Sequence, residues 1–251
     1  MARRRWFARL ARTLVLTGLL VAAASVLPIV ACRWLPVPVT SFMLLDRGTD
    51  QPRQHAWIPW DRISPHAALA VIAAEDQRFP QHAGFDFEAI DQALTAAGRG
   101  RRLRGASTIS QQLAKNLFLW PGRSWPRKSL EIWFTAWLEL LWPKQRILEV
   151  YLNVVEFGPG IWGVEAASRH YFGRSAARLS REQAALLAAV LPNPKRYSVA
   201  APSAWIRERQ RWILGQMQAL GGPAYLERLQ RARLDASQRR AVSSGSSLRR
   251  A

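Results

Sequence analysis

The chain has 251 residues, of which 49% are hydrophobic, so it is long and apolar enough to bury the core of one domain of ordinary size. This composition excludes an intrinsically disordered protein. The 36 Lys and Arg outnumber the 17 Asp and Glu, and the net charge of +19 favours anionic partners such as nucleic acid, acidic lipid headgroups or a phosphorylated substrate.

The first predicted element is a transmembrane helix over residues 13–34. Residues 13–32 carry no charge and are numerous enough to cross a bilayer as a helix, which argues against nucleic acid as the partner. Residues 1–12 hold five Arg, whereas only Arg33 closely follows the apolar run. The positive-inside rule therefore predicts that this basic N-terminus is cytoplasmic and that the rest of the chain lies outside.

Two alternatives to a retained anchor stay open. The AAA run at residues 22–24 is typical of a signal-peptide cleavage site, and IVAC at residues 29–32 resembles a lipoprotein-processing box. All three interpretations place residues 35 onward outside the inner membrane. Cys32 is the single cysteine of the chain, so no intramolecular disulfide can form.

The segment after the anchor contains a predicted linker and then a helix. Residues 35–62 hold several Pro and no long period, which indicates an extended linker or short strands. Ser64 and Pro65 then predict the start of a helix that ends near Glu75 and Asp76. The C-terminal end of a helix is an unfavourable place for anions, so these two acids indicate a role beyond structure.

Further helices are predicted downstream, with no βαβ rhythm. Asp86 is the predicted cap of one helix and Ser107 of another, with a flexible basic loop over 98–107 between them. Glycines at 158, 160 and 163 predict a tight turn later in the chain. Residues 63–202 are the predicted globular domain, and residues 203–251, with ten Arg and three acids, the predicted basic helical tail.

Five motifs follow one another along the chain: EDQRFPQHAGFD (75–86), GASTISQQLAKN (105–116), RKSLE (127–131), KQRILEVYLN (144–153) and FGPGIWGVEAASRHYFG (157–173). In this order they resemble glycosyltransferase family 51, the peptidoglycan glycosyltransferases, in its monofunctional biosynthetic form. The resemblance implies a mainly α fold, with a lysozyme-like glycosyltransferase domain preceded by one N-terminal transmembrane helix. It also implies a bacterial inner-membrane protein, single-pass, whose catalytic domain is periplasmic.

The first motif contains the candidate base. Inverting sugar transfer needs a carboxylate that takes a proton from the attacking hydroxyl, and Glu75 is the predicted base, with a pKa raised by apolar surroundings and held in check by cations. Asp76 resembles the second acid of the pair and is expected to hold the loop geometry. His82 is expected to form structural hydrogen bonds and Phe79 to pack, although both belong to the predicted substrate site.

The second and third motifs contain candidate ligands for the leaving group. The resemblance implies an isoprenyl pyrophosphate, whose developing charge needs cations, and Lys115, Arg123, Arg127 and Lys128 are the candidates. Glu131 alone would be explained by a helix ion pair with Arg127. The resemblance instead makes Glu131 a second essential carboxylate, which orients the cations or holds a divalent ion such as Mg²⁺. No organic cofactor is expected.

Four polar residues of the second motif are candidates for hydrogen bonds to sugar hydroxyls or amides: Ser107, Thr108, Gln111 and Gln112. The residues 117–125, LFLWPGRSW, suit the headgroup zone of a membrane, and a buried hydrophobic corner is the open alternative. No Ser-x-x-Lys signature follows residue 200 in a suitable downstream domain, so no transpeptidase domain is expected.

The resemblance implies that the enzyme polymerises lipid II into uncross-linked glycan strands and releases undecaprenyl pyrophosphate. The expected partners are lipid II, lipid-linked nascent glycan, the inner membrane and the proteins of cell-wall synthesis and division, with no nucleic acid. Two rival hypotheses stay open. A glycan-cleaving muramidase or lytic transglycosylase would share the helical fold and the catalytic Glu without needing the cations. A membrane-anchored scaffold would use the basic tail and no catalysis.

Overall fold

The computed structural model describes residues 2–46, 52–98, 107–122 and 124–229. Helix α1 (Ala2–Cys32) forms, with the residues up to Pro36, one of two compact units. Among the described residues, α1 is the one helix long and apolar enough to cross a membrane, over Arg5–Cys32. At 1.5 Å per residue this stretch is about 42 Å long, more than the roughly 30 Å hydrocarbon core.

Helix α1 begins well before the predicted span because the preceding basic segment is also helical. Arg, Ala and Leu are among the best helix formers, and they make up most of this segment. The predicted basic N-terminus and the predicted transmembrane segment are therefore parts of one continuous helix.

The second unit, from Val37 onward, is mainly α, as predicted. Its helices are α2 (Ser41–Leu45), α3 (Pro65–Glu75), α4 (Phe87–Gly98), α5 (Ile109–Phe118), α6 (Trp125–Leu141), α7 (Lys144–Val154), α8 (Val164–Phe172), α9 (Arg181–Val190) and α10 (Ala204–Ala219). Three short strands, β1 (Gln54–His55), β2 (Glu156–Gly158) and β3 (Ile161–Trp162), form a sheet in the order β1-β3-β2. Strand β1 pairs parallel with β3, and β2 pairs antiparallel with it.

Helix α2 lies inside the segment predicted as a linker. The Thr40 side chain caps it by accepting a hydrogen bond from the backbone of Met43. The Ser41 hydroxyl donates to the carbonyl of Leu119, just after α5. These contacts attach the start of the segment to the domain, so residues 37–46 are part of the compact unit and not a linker to it.

The centre of the domain is formed by α3, which packs against α9. All residues from Ala67 to Ala73 are buried, because α3 is apolar on every side. Helix α7 packs against α5 on the other side of the site, and Tyr151 is fully buried between them. Glu75, the last residue of α3, therefore projects from a helix that is buried along most of its length.

Helix α10 belongs to this core although its sequence was assigned to the predicted tail. Ile206, Ile213 and Met217 are buried at helical spacing, and α10 packs against both α9 and α3. The predicted boundary after residue 202 thus runs through the compact unit. Residues 230–251 of the predicted tail, and residues 99–106 of the predicted basic loop, lie outside the described residues.

The start of α5 differs by one residue from the prediction. Thr108, not Ser107, is the N-cap: its hydroxyl accepts from the backbone of Gln111, whose side-chain oxygen accepts from the backbone of Thr108. This reciprocal pair satisfies two backbone N–H groups at once, which a cap at Ser107 would not achieve with Gln111. The prediction that Asp86 caps α4 is confirmed, since its Oδ1 accepts from Ala89 N at 3.0 Å.

Two glycines permit close approaches that the site needs. Gly84 has φ +85°, and a Cβ there would lie 2.8 Å from side-chain atoms of Thr135 and Glu139 on α6. Gly163, in the turn after β3, has φ +84°, and a Cβ would lie 2.4 Å from the carbonyl oxygen of Asn153. Both conformations favour glycine. The predicted tight glycine turn is the β2–β3 hairpin and its junction with α8.

Candidate active site

Glu75 lies at the C-terminal end of α3 with its side chain 13% exposed in a cleft. Its Oε2 accepts a hydrogen bond of 2.9 Å from Gln112 Nε2, and its Oε1 lies 3.4 Å from Arg209 Nη2. Burial raises the pKa of Glu75, whereas the Gln112 hydrogen bond and the positive charges of Arg209 and Lys115 oppose that rise. This balance suits a carboxylate that is ionised yet basic enough to accept a proton.

Gln112 is itself held by Tyr151 from α7. The Tyr151 hydroxyl donates to Gln112 Oε1 at 2.9 Å, which fixes the amide so that its NH₂ group faces Glu75. Burial raises the pKa of Tyr151 well above its ordinary value, so the phenol stays a proton donor. Side chains from α7, α5 and α3 thus form one chain of hydrogen bonds that ends on the candidate base.

Arg209 approaches Glu75 from α10. Its Nη2 also donates to the carbonyl of Ala74 at 3.4 Å, and its guanidinium carbon lies 5.9 Å from the ring centroids of both Trp205 and Trp212. Sequence reasoning missed Arg209 because it assigned α10 to a tail. The helical spacing of the buried residues of α10 was the signal that could have placed it in the domain.

Asp76 connects α3 to α5. Its Oδ1 lies 2.9 Å from His82 Nε2, and its Oδ2 accepts from the backbone of Ile109 at 3.0 Å. Gly84 N donates to His82 Nδ1, so the proton of the neutral imidazole lies on Nε2 and points to Asp76. Both side chains are therefore engaged in the structure of the loop that follows Glu75.

Phe79 and Thr108 also lie in structural positions. Phe79 is fully buried beneath the ammonium group of Lys144, which lies 4.4 Å from the ring centroid. The Thr108 hydroxyl donates to the carbonyl of Gly84 at 2.7 Å while it caps α5, and the residue is buried. Of these two members of the predicted substrate site, Phe79 faces the core and Thr108 lines a cavity next to Glu75 with its hydroxyl bonded to Gly84.

A cavity of about 330 Å³ is lined by three of the four predicted cations. Its lining includes Ser107, Gln111, Gln112, Lys115, Arg127, Lys128 and Glu131. Three cations face one carboxylate there, so the cavity is suited to an anion. Arg123 lies outside the described residues.

Glu131 holds two of these cations. Its Oε2 lies 2.8 Å from Arg127 Nη1, and its Oε1 contacts Lys128 Nζ. Arg127 and Glu131 are both buried, and Arg127 Nε has no hydrogen-bond partner among the described residues. Burial lowers the pKa of Lys115, with Glu131 as the principal opposing influence. An unpartnered, buried guanidinium N–H beside further cations is a feature that an anionic ligand would satisfy.

A second cavity, of about 640 Å³, shares two lining residues with the first and contains the candidate base in its wall. Glu75, Trp205, Glu208, Arg209 and Trp212 are among the residues that line it. Ser107 and Gln112 line both cavities, so the base and the cation cluster open to neighbouring spaces.

Two places offer carboxylates to a metal ion. Ligand atoms of Asp76, His82 and Asp86 lie within 4.8 Å of one another, but all three residues already make the hydrogen bonds described above. Glu131 is the only carboxylate among the described residues that line the cation cavity. Lys128, which contacts Glu131 Oε1, is 38% exposed, so this carboxylate oxygen is the one that movement of Lys128 would leave free.

Most of the buried residues of helix α6 are polar, with Leu138 as the apolar exception, whereas its exposed side is largely apolar. It buries Arg127, Glu131 and Thr135, whereas its exposed side carries large apolar side chains. These are Trp125, Leu130, Ile132, Trp133 and Leu140. In the preceding segment Trp120 is exposed, while Leu117 and Leu119 are buried. An exposed apolar surface of this kind is typical of a protein or membrane contact.

Comparison with known proteins places the chain among enzymes of cell-wall synthesis. The family model described as "Transglycosylase" matches residues 43–218. A biosynthetic peptidoglycan transglycosylase of Ectopseudomonas mendocina is 57% identical over 212 residues, which cover 82% of this chain and 88% of the relative. One from Chromohalobacter salexigens is 54% identical over 233 residues, covering 90% and 99%, and one from Pseudomonas fluorescens Pf-5 is 54% identical over 215 residues, covering 83% and 90%.

Proposed function

From the premise that this chain belongs to the transglycosylase family and is a peptidoglycan glycosyltransferase of lysozyme-like fold, we propose that it polymerises lipid II into glycan strands and releases undecaprenyl pyrophosphate. The observation that carries this proposal is the junction of two cavities. Glu75 lines one cavity and the cations line the other, and Ser107 and Gln112 line both cavities.

Glu75 is the general base of the proposed reaction. Its carboxylate takes the proton of the acceptor 4-hydroxyl as that oxygen forms a bond to C1 of the donor sugar. The bond from C1 to the diphosphate oxygen breaks, and its electron pair leaves with the diphosphate. Because attack and departure occur on opposite faces, the anomeric configuration inverts and no covalent sugar–enzyme intermediate is needed.

The cation cavity receives the departing diphosphate. Lys115, Arg127 and Lys128 stabilise the negative charge that develops on the leaving oxygens, and Glu131 fixes the positions of Arg127 and Lys128. The unpartnered Nε of Arg127 supports this role, since a phosphate oxygen would accept its hydrogen bond. The resemblance adds Arg123 to the same group.

The cation cavity offers a divalent ion such as Mg²⁺ a carboxylate ligand, Glu131. Glu131 Oε1 would hold it once Lys128 has moved aside, and the ion would neutralise charge on the diphosphate. The three protein cations bind and orient the leaving group in either case. Asp76 and His82 hold the loop that positions Glu75.

The substrate reaches the site from the membrane. The exposed apolar side of α6 and Trp120 support contact with the headgroup zone, so the lipid tail stays in the bilayer while the diphosphate enters the cavity. The N-terminal apolar helix fits a single-pass membrane protein. We place it in the inner membrane with the enzyme domain in the periplasm, on the basis of the five Arg that precede the span.

Two incubations test the proposal against the glycan-cleaving rival. The purified full-length protein is given labelled lipid II in one and finished sacculi in the other, and product length is measured. We expect lipid II to become long glycan and sacculi to remain intact. Shortened sacculi with unchanged lipid II would overturn the proposal. The cation cavity already favours synthesis, because hydrolysis of glycan releases no diphosphate.

A further inference from the structure

Two tryptophans of α10 have no role in the mechanism above. Trp205 and Trp212 are 47% and 46% exposed, and both line the 640 Å³ cavity that Glu75 borders. They lie seven residues apart, so they occupy the same side of the helix, on either side of Arg209. Two half-exposed indoles in the wall of one cavity, beside a candidate base, indicate that this cavity binds a ligand.

The rings are held in place before any ligand arrives. Trp205 stacks on Tyr197 with centroids 4.7 Å apart and an interplanar angle of 28°. The Arg209 guanidinium lies 5.9 Å from both indole centroids and is held in turn by Glu75 and Ala74. A fixed aromatic surface loses little conformational entropy on binding, so it is suited to recognition.

The chemistry of this cavity fits a saccharide. The C–H face of a pyranose ring is apolar and flat and can pack on an indole, while its hydroxyl and amide groups need hydrogen-bond partners. Glu208 and Arg209 line the same cavity and can supply them; Arg209 Nε has no partner within the described ranges. Two charged residues in the lining argue against insertion of this surface into lipid, in contrast to the apolar side of α6.

The position of the cavity beside Glu75 indicates that it holds the acceptor sugar and not the donor sugar. The sugar that loses its proton to Glu75 must lie beside that carboxylate, whereas the donor diphosphate belongs with Lys115 and Arg127 in the other cavity. We propose that Trp205 and Trp212 form a stacking platform for the saccharide of the acceptor. This inference rests on the proposed function, because it assumes that Glu75 receives the acceptor proton.

The test uses a soluble tetrasaccharide of alternating N-acetylglucosamine and N-acetylmuramic acid, without lipid or diphosphate. The lactyl carboxylates of its N-acetylmuramic acid residues are converted to methyl amides, so the probe carries no anion for the cations and its binding reports on the saccharide cavity. Its affinity for the full-length protein in detergent micelles is measured by saturation-transfer NMR. The Michaelis constant and turnover number for lipid II polymerisation are measured on the same preparations.

We expect Trp212→Ala to weaken tetrasaccharide binding about tenfold, the loss of one stacked indole, and to raise the Michaelis constant more than it lowers turnover. Trp212→Phe keeps a ring and should stay within about threefold of wild type. Trp205→Ala is an independent second variant. Gln218→Ala is the control, since Gln218 is exposed on α10 and does not line the cavity. Thermal unfolding verifies that each variant is folded.

Wild-type tetrasaccharide affinity in both Trp→Ala variants would overturn the platform, and so would no binding by the wild-type protein. Loss of binding in Lys115→Met with retention in Trp212→Ala would also overturn it, by placing the saccharide with the cations. A wild-type protein that binds the tetrasaccharide but leaves lipid II unchanged would refute the proposed function instead. The two failures are thereby distinguished.

Discussion

Gln112 Nε2 lies 2.9 Å from Glu75 Oε2 and donates a hydrogen bond to it. The opposite end of the same amide accepts from the buried Tyr151 hydroxyl, so the orientation of Gln112 is fixed from α7. The hydrogen bond favours the charged form of Glu75, whereas burial favours the neutral form. The pKa of the candidate base is therefore set by contacts that individual substitutions can remove.

Replacing Gln112 by Leu should move the acid limb of the pH–rate profile to higher pH. The rate falls as Glu75 becomes protonated, and loss of the Gln112 hydrogen bond raises the Glu75 pKa further. The profile of turnover number for lipid II polymerisation measures this shift. Gln218→Leu is the matched control on an exposed position and should leave the limb in place. An acid limb that Gln112→Leu does not move would argue against Glu75 as the titrating group.

Arg209→Gln should also shift the acid limb of the pH–rate profile to higher pH. The positive charge of Arg209 lowers the Glu75 pKa, so its removal raises that pKa and requires a higher pH for full activity. Arg211→Gln removes a charge from an exposed position of the same helix and is the control. If both variants gave identical profiles, Arg209 would act only as a packing residue.

Lys115 should cause the rate of lipid II polymerisation to fall at high pH, which gives the pH–rate profile an alkaline limb. Burial lowers its pKa, so the ammonium group loses its proton below the ordinary range of lysine and the leaving group loses a stabilising charge. Lys115→Arg keeps the charge at high pH and should extend the active range upward. Lys115→Met should reduce the turnover number by about 10²–10³ at all pH values. Activity of the Met variant close to wild type would remove Lys115 from the mechanism.

Glu156 predicts a pH dependence of stability that is separate from catalysis. Burial is the main cause that raises its pKa to about 7, with Asp46 adding to the rise and Lys195 opposing it. The folded state therefore binds a proton that the unfolded state releases near pH 4.5, so this contribution to stability is present at low pH and is lost as pH rises through about 7.

The comparison of Glu156→Gln with wild type isolates that contribution. The variant cannot ionise, so its melting temperature should exceed that of the wild-type protein above pH 7 and should approach it below pH 5. Thermal unfolding across this range measures the difference. A difference between the two proteins that stays constant with pH would show that Glu156 does not titrate there.

Local patterns in the sequence were enough to predict much of the site. The helical period puts Gln111 and Lys115 on one side of α5, and both line the cation cavity. The (i, i+4) spacing of Arg127 and Glu131 likewise predicts the ion pair that the structure contains. In each case neighbouring turns of one helix determine the geometry.

Contacts between distant segments could not be predicted in the same way. Arg209 meets Glu75 across 134 positions of sequence, through packing of α10 on α3. Tyr151 reaches Gln112 across 39 positions, from α7 to α5. The predicted cap of α5 lies one residue before the observed one because Ser107 and Thr108 are both good caps. Only the hydrogen bonds with Gln111 decide between them.

The polymerisation rate of Glu75→Gln on lipid II tests the central claim most directly. The substitution keeps the size of the side chain but removes the basic carboxylate, so the rate should fall about 10²–10⁴-fold, while the melting temperature and lipid II binding stay close to wild type. Glu88→Gln, at an exposed position of α4, should polymerise normally. Wild-type rates of glycan synthesis by Glu75→Gln would contradict the assignment of Glu75 as the base.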